Sequence, residues 1–220
     1  MTGKKTALIA GATGLVGGEL LKQLLEGDRY QKVIVVTRRE LGLRARHPKA
    51  RQVLVDFAKL EDHAEYLHAD HVFCTLGTTI AKAGSQSEFV KIDLEYPLRL
   101  ARVTLERGAK HYSIVTALGS STSSPFFYSR VKGSVERELE GMGWPSLAIV
   151  RPSVIAGHRD ERRPAEHLSQ ALLKYAPAPW RSVPAADIAA CMVEVAGREP
   201  PGTTRVDSKH IRRYAQRSRA

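Results

Sequence analysis

The sequence has little cysteine and no long apolar run, and both shortages exclude whole classes of protein. Its 220 residues include two cysteines, Cys74 and Cys191, each inside an apolar segment and far from the other. Neither a disulfide framework nor a zinc ribbon is therefore indicated. No apolar stretch approaches the length of a membrane span, and the first apolar run follows Met1 too closely for a signal peptide. We expect a protein of the reducing cytoplasm.

Acidic residues are scarce relative to basic ones. Asp and Glu number 23 against 34 Lys and Arg, which gives a net charge of +11. The excess lies at residues 38–51, 159–163 and 212–219. It lacks the interleaved aromatic residues or helix-turn-helix pattern of nucleic-acid-binding proteins. We therefore expect a solvated basic surface or an anionic small ligand, and no nucleic-acid partner.

Grouped metal ligands are also missing. His68, His71 and Cys74 are close in sequence. However, His71 and Cys74 are an odd number of residues apart in an apolar strand, so their side chains point to opposite faces of a sheet. We expect no metal site.

The first apolar run, residues 6–10, leads directly into the segment GATGLVG and then into a Leu-rich amphipathic stretch at residues 18–26. This order predicts a strand, a loop and a helix that bind the pyrophosphate of a dinucleotide at the helix N-terminus. Gly11 permits the tight turn, Gly14 lets backbone N–H groups approach the ligand, and Gly17 lets the helix lie against the strand. We assign the pyrophosphate to the whole loop, namely Gly11, Thr13, Gly14, Leu15, Val16 and Gly17.

The second apolar run, KVIVVT at residues 32–37, ends at Arg38 and Arg39. In dinucleotide folds an acid near this point binds the ribose 2′-hydroxyl, whereas an arginine accommodates a 2′-phosphate. The lack of an acid in Thr37, Arg38 and Arg39 favours NADP(H) over NAD(H), with a solvent-exposed arginine pair as the alternative. Asp56, followed by Phe57, is a candidate for the adenine amino group or simply the start of a turn.

The rest of the chain alternates between apolar strands and amphipathic helices. We predict strands at residues 52–55, 71–75, 111–116, 147–151 and 203–206, and helices at 61–68, 88–107, 125–141, 185–196 and from 208. This alternation predicts one α/β domain over residues 1–220, built on a doubly wound parallel sheet. Residues 152–185, with a helix at 164–175, are expected to form a small C-terminal cap on the substrate side. Leu76, Gly77 and Thr78 follow the fourth strand, at the edge where such sheets bind the middle of a cofactor.

Tyr128 and Lys132 lie four residues apart on a predicted helix, so their side chains share one face. A carbonyl group that accepts hydride needs a proton on its oxygen, which a phenol can donate once its pKa is brought down from about 10. The Lys132 ammonium ion favours the phenolate and can also hold the nicotinamide ribose. Thr116 and Ser120 are the candidates for a hydroxyl that hydrogen-bonds the developing oxyanion.

These motifs together resemble an atypical short-chain dehydrogenase/reductase. The resemblance rests on GATGLVG, the Asp56 turn, CTLGTTIAKAG at residues 74–84, the Tyr128/Lys132 pair and RPSVIAG at residues 151–157. Over nearly its full length the chain resembles the Tat-interacting-protein-like oxidoreductases and their bacterial relatives. The LGTT and KAG stretch and the ERRP segment at residues 161–164 make this narrower likeness more specific than the glycine loop alone.

The resemblance implies an NADP(H)-binding Rossmann core, with Tyr128 as general acid/base and Lys132 as its partner. It also implies that Arg38 and Arg39 bind the 2′-phosphate and that Arg151, Pro152 and Val154 lie beside the cofactor. Where relatives commonly carry Ser at the end of the fifth strand, this chain has Thr116 and Ala117. The third catalytic residue is therefore Thr116 or Ser120.

The sequence thus predicts an NADPH-dependent reductase, reversible as a dehydrogenase, for a small carbonyl compound. Its specificity is expected to come from residues 79–87 and 153–168. The alternative is an NADP(H)-binding redox sensor that acts through a protein partner without turnover. Aspartate-semialdehyde-type dehydrogenases share the glycine loop but need a nucleophilic Cys in a separate catalytic domain, which this short chain does not provide. Helices 88–107 and 125–141 are the candidates to pair in a homodimer.

Overall fold

The computed structural model describes residues 4–41, 47–156 and 182–217. The strands are β1 (Lys5–Ala10), β2 (Tyr30–Thr37), β3 (Ala50–Leu54), β4 (His71–Cys74), β5 (His111–Val115), β6 (Ser146–Arg151), β7 (Ile155–Ala156), β8 (Val183–Pro184) and β9 (Gly202–Asp207). The helices are α1 (Leu15–Glu26), α2 (Ile80–Ala83), α3 (Gln86–Val90), α4 (Tyr96–Glu106), α5 (Phe127–Glu140), α6 (Ala185–Arg198) and α7 (Ser208–Arg217). A 3₁₀-helical segment spans Phe57–Tyr66, and a π-helical turn at Lys91–Glu95 joins α3 to α4.

A seven-stranded sheet has the order β3-β2-β1-β4-β5-β6-β9, and each of its strand pairs is parallel. The chain therefore runs outwards from β1 in one direction and then returns to build the other half, which confirms the predicted doubly wound parallel sheet. β7 and β8 form a separate two-stranded pair. The predicted cap at residues 152–185 lies mostly outside the described residues, as do its helix at 164–175 and the ERRP segment.

The core lies in two layers, one on each face of the sheet, because successive strand residues point to opposite faces. Ile9 packs among the apolar side chains of α1 and α6, while Leu8 packs among those of α4, α5 and the 3₁₀ segment. The central strands are apolar on both faces, and β1 is buried from Ala7 to Ala10. Among the described residues, no helix is long and apolar enough to cross a bilayer.

The predicted helix over residues 88–107 is divided into α3, the π-helical turn and α4. Pro97 stands at the start of α4. A proline there has no N–H for the carbonyl of Asp93, and its ring crowds that carbonyl. We attribute the π-helical turn to this proline, since it displaces the hydrogen bonding by one residue, with the Tyr96 N–H donating to the Lys91 carbonyl. The turn sets the position of Asp93, which the predicted uninterrupted helix did not anticipate.

Two further helix starts differ from the prediction. α1 begins at Leu15, three residues before the predicted start, and the segment predicted as a helix at 61–68 is a 3₁₀ segment that starts at Phe57. Asp56 begins it, because its Oδ1 accepts a hydrogen bond from the Ala58 N–H at 2.9 Å. This contact is the turn-starting role that the sequence left open for Asp56.

Two buried histidines lie at the edge of the sheet opposite the carboxyl ends of its strands. His71 and His111 begin β4 and β5, and burial lowers the pKa of each to about 3, so both are neutral. The Nδ1 atom of His71 is 2.7 Å from the Tyr30 hydroxyl, and its Nε2 atom is 2.7 Å from Glu199 Oε1. His71 is therefore held by protein side chains, while His68 contacts the Arg107 carbonyl instead.

The first prediction concerns Gly133, where α5 packs against the loop after β5. A β-carbon at Gly133 would lie 2.3 Å from the Ser121 carbonyl carbon, which requires the backbone to move. We expect Gly133→Ala to destabilise the fold by about 2 kcal/mol, which corresponds to a fall of roughly 4–8 °C in Tm. Gly141→Ala is the matched control at the end of the same helix, since its β-carbon would meet only ordinary contacts at 3.5 Å. Equal Tm values for the two variants would contradict this close packing.

Candidate functional site

The glycine loop after β1 is held by close backbone contacts. Gly11 has φ +91°, a left-handed conformation that favours glycine. A β-carbon at Gly17 would lie 2.0 Å from the Gly11 carbonyl oxygen, and one at Gly11 would lie 2.6 Å from the Thr75 backbone. The loop therefore brings the end of β1, the start of α1 and the chain leaving β4 together at one point.

The start of α1 is open to a ligand. Gly14 occupies the cap position, no side chain accepts a hydrogen bond there, and the first turn contains no acidic residue. The first N–H groups of a helix have no partner within the helix, and the helix dipole places partial positive charge at them. This end of α1 is therefore suited to an anion such as a pyrophosphate.

A cavity of about 1320 Å³ lies over this helix start and along the carboxyl ends of the central strands. It brings together ten of the residues singled out from the sequence, namely Thr13, Gly14, Leu15, Val16, Leu76, Gly77, Thr78, Thr116, Tyr128 and Lys132. Gly11 and Gly17 do not line it and are held in the backbone contacts described above. The cavity also includes Ile80 and Ile155, from the two segments expected to set specificity, together with Thr75 and Asp93, which the sequence did not single out.

The residues predicted for the adenosine end do not line this cavity. Arg38 and Arg39 follow β2 with exposed side chains. The carbonyl of Arg39 is fixed, since it accepts hydrogen bonds from Thr37 Oγ1 and Gln52 Nε2, both at 2.8 Å. Asp56 is exposed as well, whereas the buried ring of Phe57 stacks on Tyr96.

Tyr128 and Lys132 occupy successive turns of α5 and differ in exposure. Tyr128 is 39% exposed at the cavity and Lys132 only 5%. The Lys132 Nζ atom lies 2.8 Å from Oδ1 of the buried Asp93, and the two groups form an ion pair. Burial alone would lower the pKa of Lys132, but the Asp93 carboxylate and the Tyr128 phenol raise it, and the net pKa is above that of an ordinary lysine. Lys132 is therefore charged at neutral pH.

A second buried carboxylate, Glu136, lies one further turn along α5. The Thr116 hydroxyl donates to Glu136 Oε1 at 2.6 Å, and Arg151 Nε donates to the same oxygen at 3.0 Å. The other nitrogen of the Arg151 fork contacts Glu136 Oε2. The proton of the Thr116 hydroxyl is therefore directed at Glu136. Towards the cavity, the Thr116 oxygen can act only as a hydrogen-bond acceptor.

The other predicted site residues near β6 are held by the protein itself. Ser120 donates its hydroxyl to the Ala117 carbonyl at 2.7 Å. The carbonyls of Pro152 and Val154 accept backbone N–H groups from Leu118 and Val183, each at 2.8 Å. None of Ser120, Arg151, Pro152 and Val154 lines the cavity.

Sequence reasoning missed Asp93 and Glu136, although a signal for each was present. Each acid is buried and lies four residues, about one helical turn, after another buried residue. Asp93 follows the buried Phe89 by four residues, and Glu136 follows Lys132 by four. An acid in the buried stripe of a helix needs a partner, so each indicates a buried cation or hydroxyl nearby.

The sheet order, the glycine loop and the cavity define a Rossmann-type dinucleotide-binding protein. A family model described as NAD(P)H-binding matches residues 11–199. The chain is 36% identical over 180 residues to protein HTATIP2 of Rattus norvegicus, a match that covers 81% of this chain and 74% of that protein. It is 32% identical over 163 residues to mitochondrial protein fmp52 of Aspergillus clavatus, covering 72% and 70%. The chain therefore belongs to the NAD(P)H-binding family, among the atypical short-chain dehydrogenases/reductases.

Solved structures with low sequence identity share the fold. The Bordetella bronchiseptica enzyme WbmH in complex with NAD⁺ has a TM-score of 0.72 at 16% identity, and the match covers 96% of this chain and 79% of that chain. A UDP-N-acetylglucosamine 4-epimerase from Methanobrevibacter ruminantium M1 has a TM-score of 0.71 at 17% identity, covering 93% and 76%. These likenesses show the architecture of the sheet and its helices.

The second prediction concerns the Glu136 pair. Glu136→Gln leaves Arg151, which is partly exposed, without its carboxylate, and we expect the free energy of unfolding to fall by about 2 kcal/mol. Glu140→Gln, one turn further along α5, breaks the exposed ion pair with Arg205. We expect this variant to lower the free energy of unfolding by less than about 1 kcal/mol. Urea unfolding of both variants measures the difference. Similar small losses in both would show that Glu136 does not hold this cluster together.

Proposed function

We propose that this protein is an NADPH-dependent oxidoreductase that interconverts a small carbonyl compound and its alcohol. The observation that carries the proposal is the charged, buried Lys132 one turn from Tyr128, in the cavity that also contains the uncapped start of α1. A cationic group beside a phenol favours proton release from the phenol. A dinucleotide held at α1 would extend along the carboxyl ends of the strands towards this pair.

The residues present fit a nicotinamide dinucleotide, the ligand class of the family. No side chain caps the start of α1, and Leu15 and Val16 of its first turn line the cavity, which suits the pyrophosphate. Leu76, Gly77 and Thr78 would lie along the middle of the cofactor, and Lys132 would hold the nicotinamide ribose. Arg38 and Arg39, exposed after β2, would bind a 2′-phosphate, so we assign NADP(H) in preference to NAD(H).

When bound, the nicotinamide ring supplies a hydride in reduction and accepts one in oxidation. Tyr128 gives its phenolic proton to the carbonyl oxygen in the first direction and takes the alcohol proton in the second. Lys132 stays charged and stabilises the phenolate that remains. We choose Thr116 over Ser120 as the third catalytic residue. Because the Thr116 hydroxyl donates its proton to Glu136, its oxygen would accept a hydrogen bond from the Tyr128 phenol or from the alcohol product.

The third prediction tests the cofactor. Titration with NADPH and NADH, followed by cofactor fluorescence, should show tighter binding of NADPH by the wild type. Arg38→Ala/Arg39→Ala should lose that preference by about tenfold or more, because two charge-assisted contacts to the 2′-phosphate are removed. The double variant Lys49→Ala/Arg51→Ala, with the same loss of charge near the start of β3, controls for a general electrostatic effect. Binding of neither cofactor by the wild type would refute the proposal.

One observation favours a second candidate, an NADP(H)-binding redox sensor that acts through a protein partner without turnover. Thr116 and Ser120 both donate their hydroxyl protons to protein acceptors. Neither is therefore aimed at a developing oxyanion, the role that a third catalytic hydroxyl would have. A protein that binds the cofactor without chemistry would tolerate this arrangement.

The fourth prediction separates the two candidates. Tyr128→Phe removes only the phenolic oxygen, so an oxidoreductase should lose turnover by about 10²–10⁴-fold while its NADPH affinity changes little. The assay follows NADPH oxidation with a panel of small aldehydes and ketones. Tyr66→Phe, which removes the hydroxyl of another exposed tyrosine, is the control. Turnover that is absent in both Tyr128 forms, with NADPH bound by each, would favour the sensor.

The compartment and assembly of the protein are also part of the proposal. We retain the cytoplasm as the expected compartment. The fmp52 relatives differ in this respect, since they are named mitochondrial proteins. We also retain a homodimer formed through α4 and α5, and a protein partner in the case of the sensor. Neither nucleic acid nor metal takes part in the proposed reaction.

A further inference from the structure

Asp93 occupies an unusual position for a carboxylate. It lies in the π-helical turn, is 1% exposed, and lines the cavity. Its Oδ2 accepts the Thr78 N–H at 2.9 Å, and its Oδ1 lies 2.8 Å from Lys132 Nζ in an ion pair. One carboxylate thus connects the chain after β4 to the lysine of α5.

We propose that Asp93 is a positioning residue of the site, which fixes the Lys132 ammonium ion against residues 76–78 and sets the pH range in which Tyr128 exchanges its proton. The kinetic consequence rests on the proposed function. The effect on the ionisation of Tyr128 does not, since it depends only on the arrangement of charges in the cavity.

Gly77 lies close to this ion pair. A β-carbon at Gly77 would lie 3.4 Å from Asp93 Oδ1 and 3.9 Å from Lys132 Nζ. The chain after β4 therefore runs beside the pair, and its Thr78 N–H orients the carboxylate by donating to it. Lys132 is paired with Asp93, lies beside Gly77 and is buried, so its ammonium group has little freedom to move.

The charges that face Lys132 come from three elements. Asp93 faces it from the π-helical turn, Tyr128 from α5 and the Cys74 thiol from β4. Burial raises the pKa of Cys74, so the thiol is neutral. Lys82 of α2 lines the same cavity, while Glu136 of α5 is engaged by Thr116 and Arg151. Asp93 is therefore the one full negative charge paired with Lys132 among the described residues.

This negative charge acts on both members of the Tyr128 and Lys132 pair in the same direction. A nearby carboxylate disfavours a phenolate and favours an ammonium ion, since it stabilises the protonated form of each group. While Lys132 keeps its charge, removal of the carboxylate should therefore make the phenolate of Tyr128 easier to form. Variants with Met in place of Lys132 isolate this effect, because the residue at position 132 then has no proton to lose.

The closing experiment measures the pKa of Tyr128 directly from near-ultraviolet tyrosinate absorbance. Each protein is titrated beside its Tyr128→Phe counterpart, which removes the contribution of the other tyrosines. We expect Asp93→Asn to lower the pKa of Tyr128 by about one unit or more. Glu95→Gln, an exposed acid in the same turn, should leave it within about 0.3 units, since solvent screens its charge.

A second pair of variants keeps the test decisive if Asp93→Asn does not fold with an unpaired buried lysine. Lys132→Met is compared with Asp93→Asn/Lys132→Met, in which neither buried charge remains. The pKa of Tyr128 should be lower by about one unit in the double variant than in Lys132→Met. Equal values in the two, or an unchanged pKa in Asp93→Asn with only a lower Tm, would overturn the proposal and leave Asp93 a structural residue.

Turnover supplies a readout that depends on the proposed function. The pH dependence of alcohol oxidation by Asp93→Asn should move to lower pH by about one unit relative to wild type, because the phenolate that accepts the alcohol proton forms more readily without the carboxylate. A wild type without turnover on any carbonyl or alcohol would refute the oxidoreductase. The tyrosinate titration would still decide the role of Asp93, so the two failures are distinguishable.

Discussion

The site depends on one steric constraint, the contact of the Gly11 turn with both the start of α1 and the chain leaving β4. No β-carbon fits at Gly11 or Gly17, since each would meet backbone atoms at 2.6 Å or less. Because the three segments converge here, the uncapped end of α1 lies beside residues 76–78. Those residues in turn contact Asp93, so the anion-binding loop and the buried ion pair form one continuous arrangement.

Two buried carboxylates organise the polar face of α5. Asp93 takes the ammonium ion of Lys132, and Glu136 takes the hydroxyl of Thr116 together with Arg151. Tyr128, at the start of this face, is the member that is open to the cavity and to solvent. Buried ion pairs are weak contributors to stability, since apolar replacements are often neutral or better. The value of these two pairs lies in the fixed orientation that they give to the groups around Tyr128.

Local sequence patterns were sufficient for the sheet and the glycine loop, because strand burial, helix periodicity and glycine spacing each act over a few residues. They were not sufficient for Asp93 or Glu136, whose partners come from segments distant in sequence. Pro97 was visible in the sequence, but its effect on hydrogen bonding depends on the helix that precedes it. The direction of the Thr116 hydroxyl could not be predicted either, because its acceptor, Glu136, lies on α5, a segment distant in sequence. The positions of Arg38, Arg39 and Asp56 relative to a ligand remain predictions.

The missing cap at the start of α1 also links the fold to the supply of its ligand. Gly14 leaves the first N–H groups of this helix without a side-chain acceptor, and a bound anion would provide one. A ligand that binds only the folded chain increases its stability in proportion to the logarithm of ligand concentration. Because the family binds nicotinamide dinucleotides, the lifetime of this protein against proteolysis would follow the size of the dinucleotide pool around it.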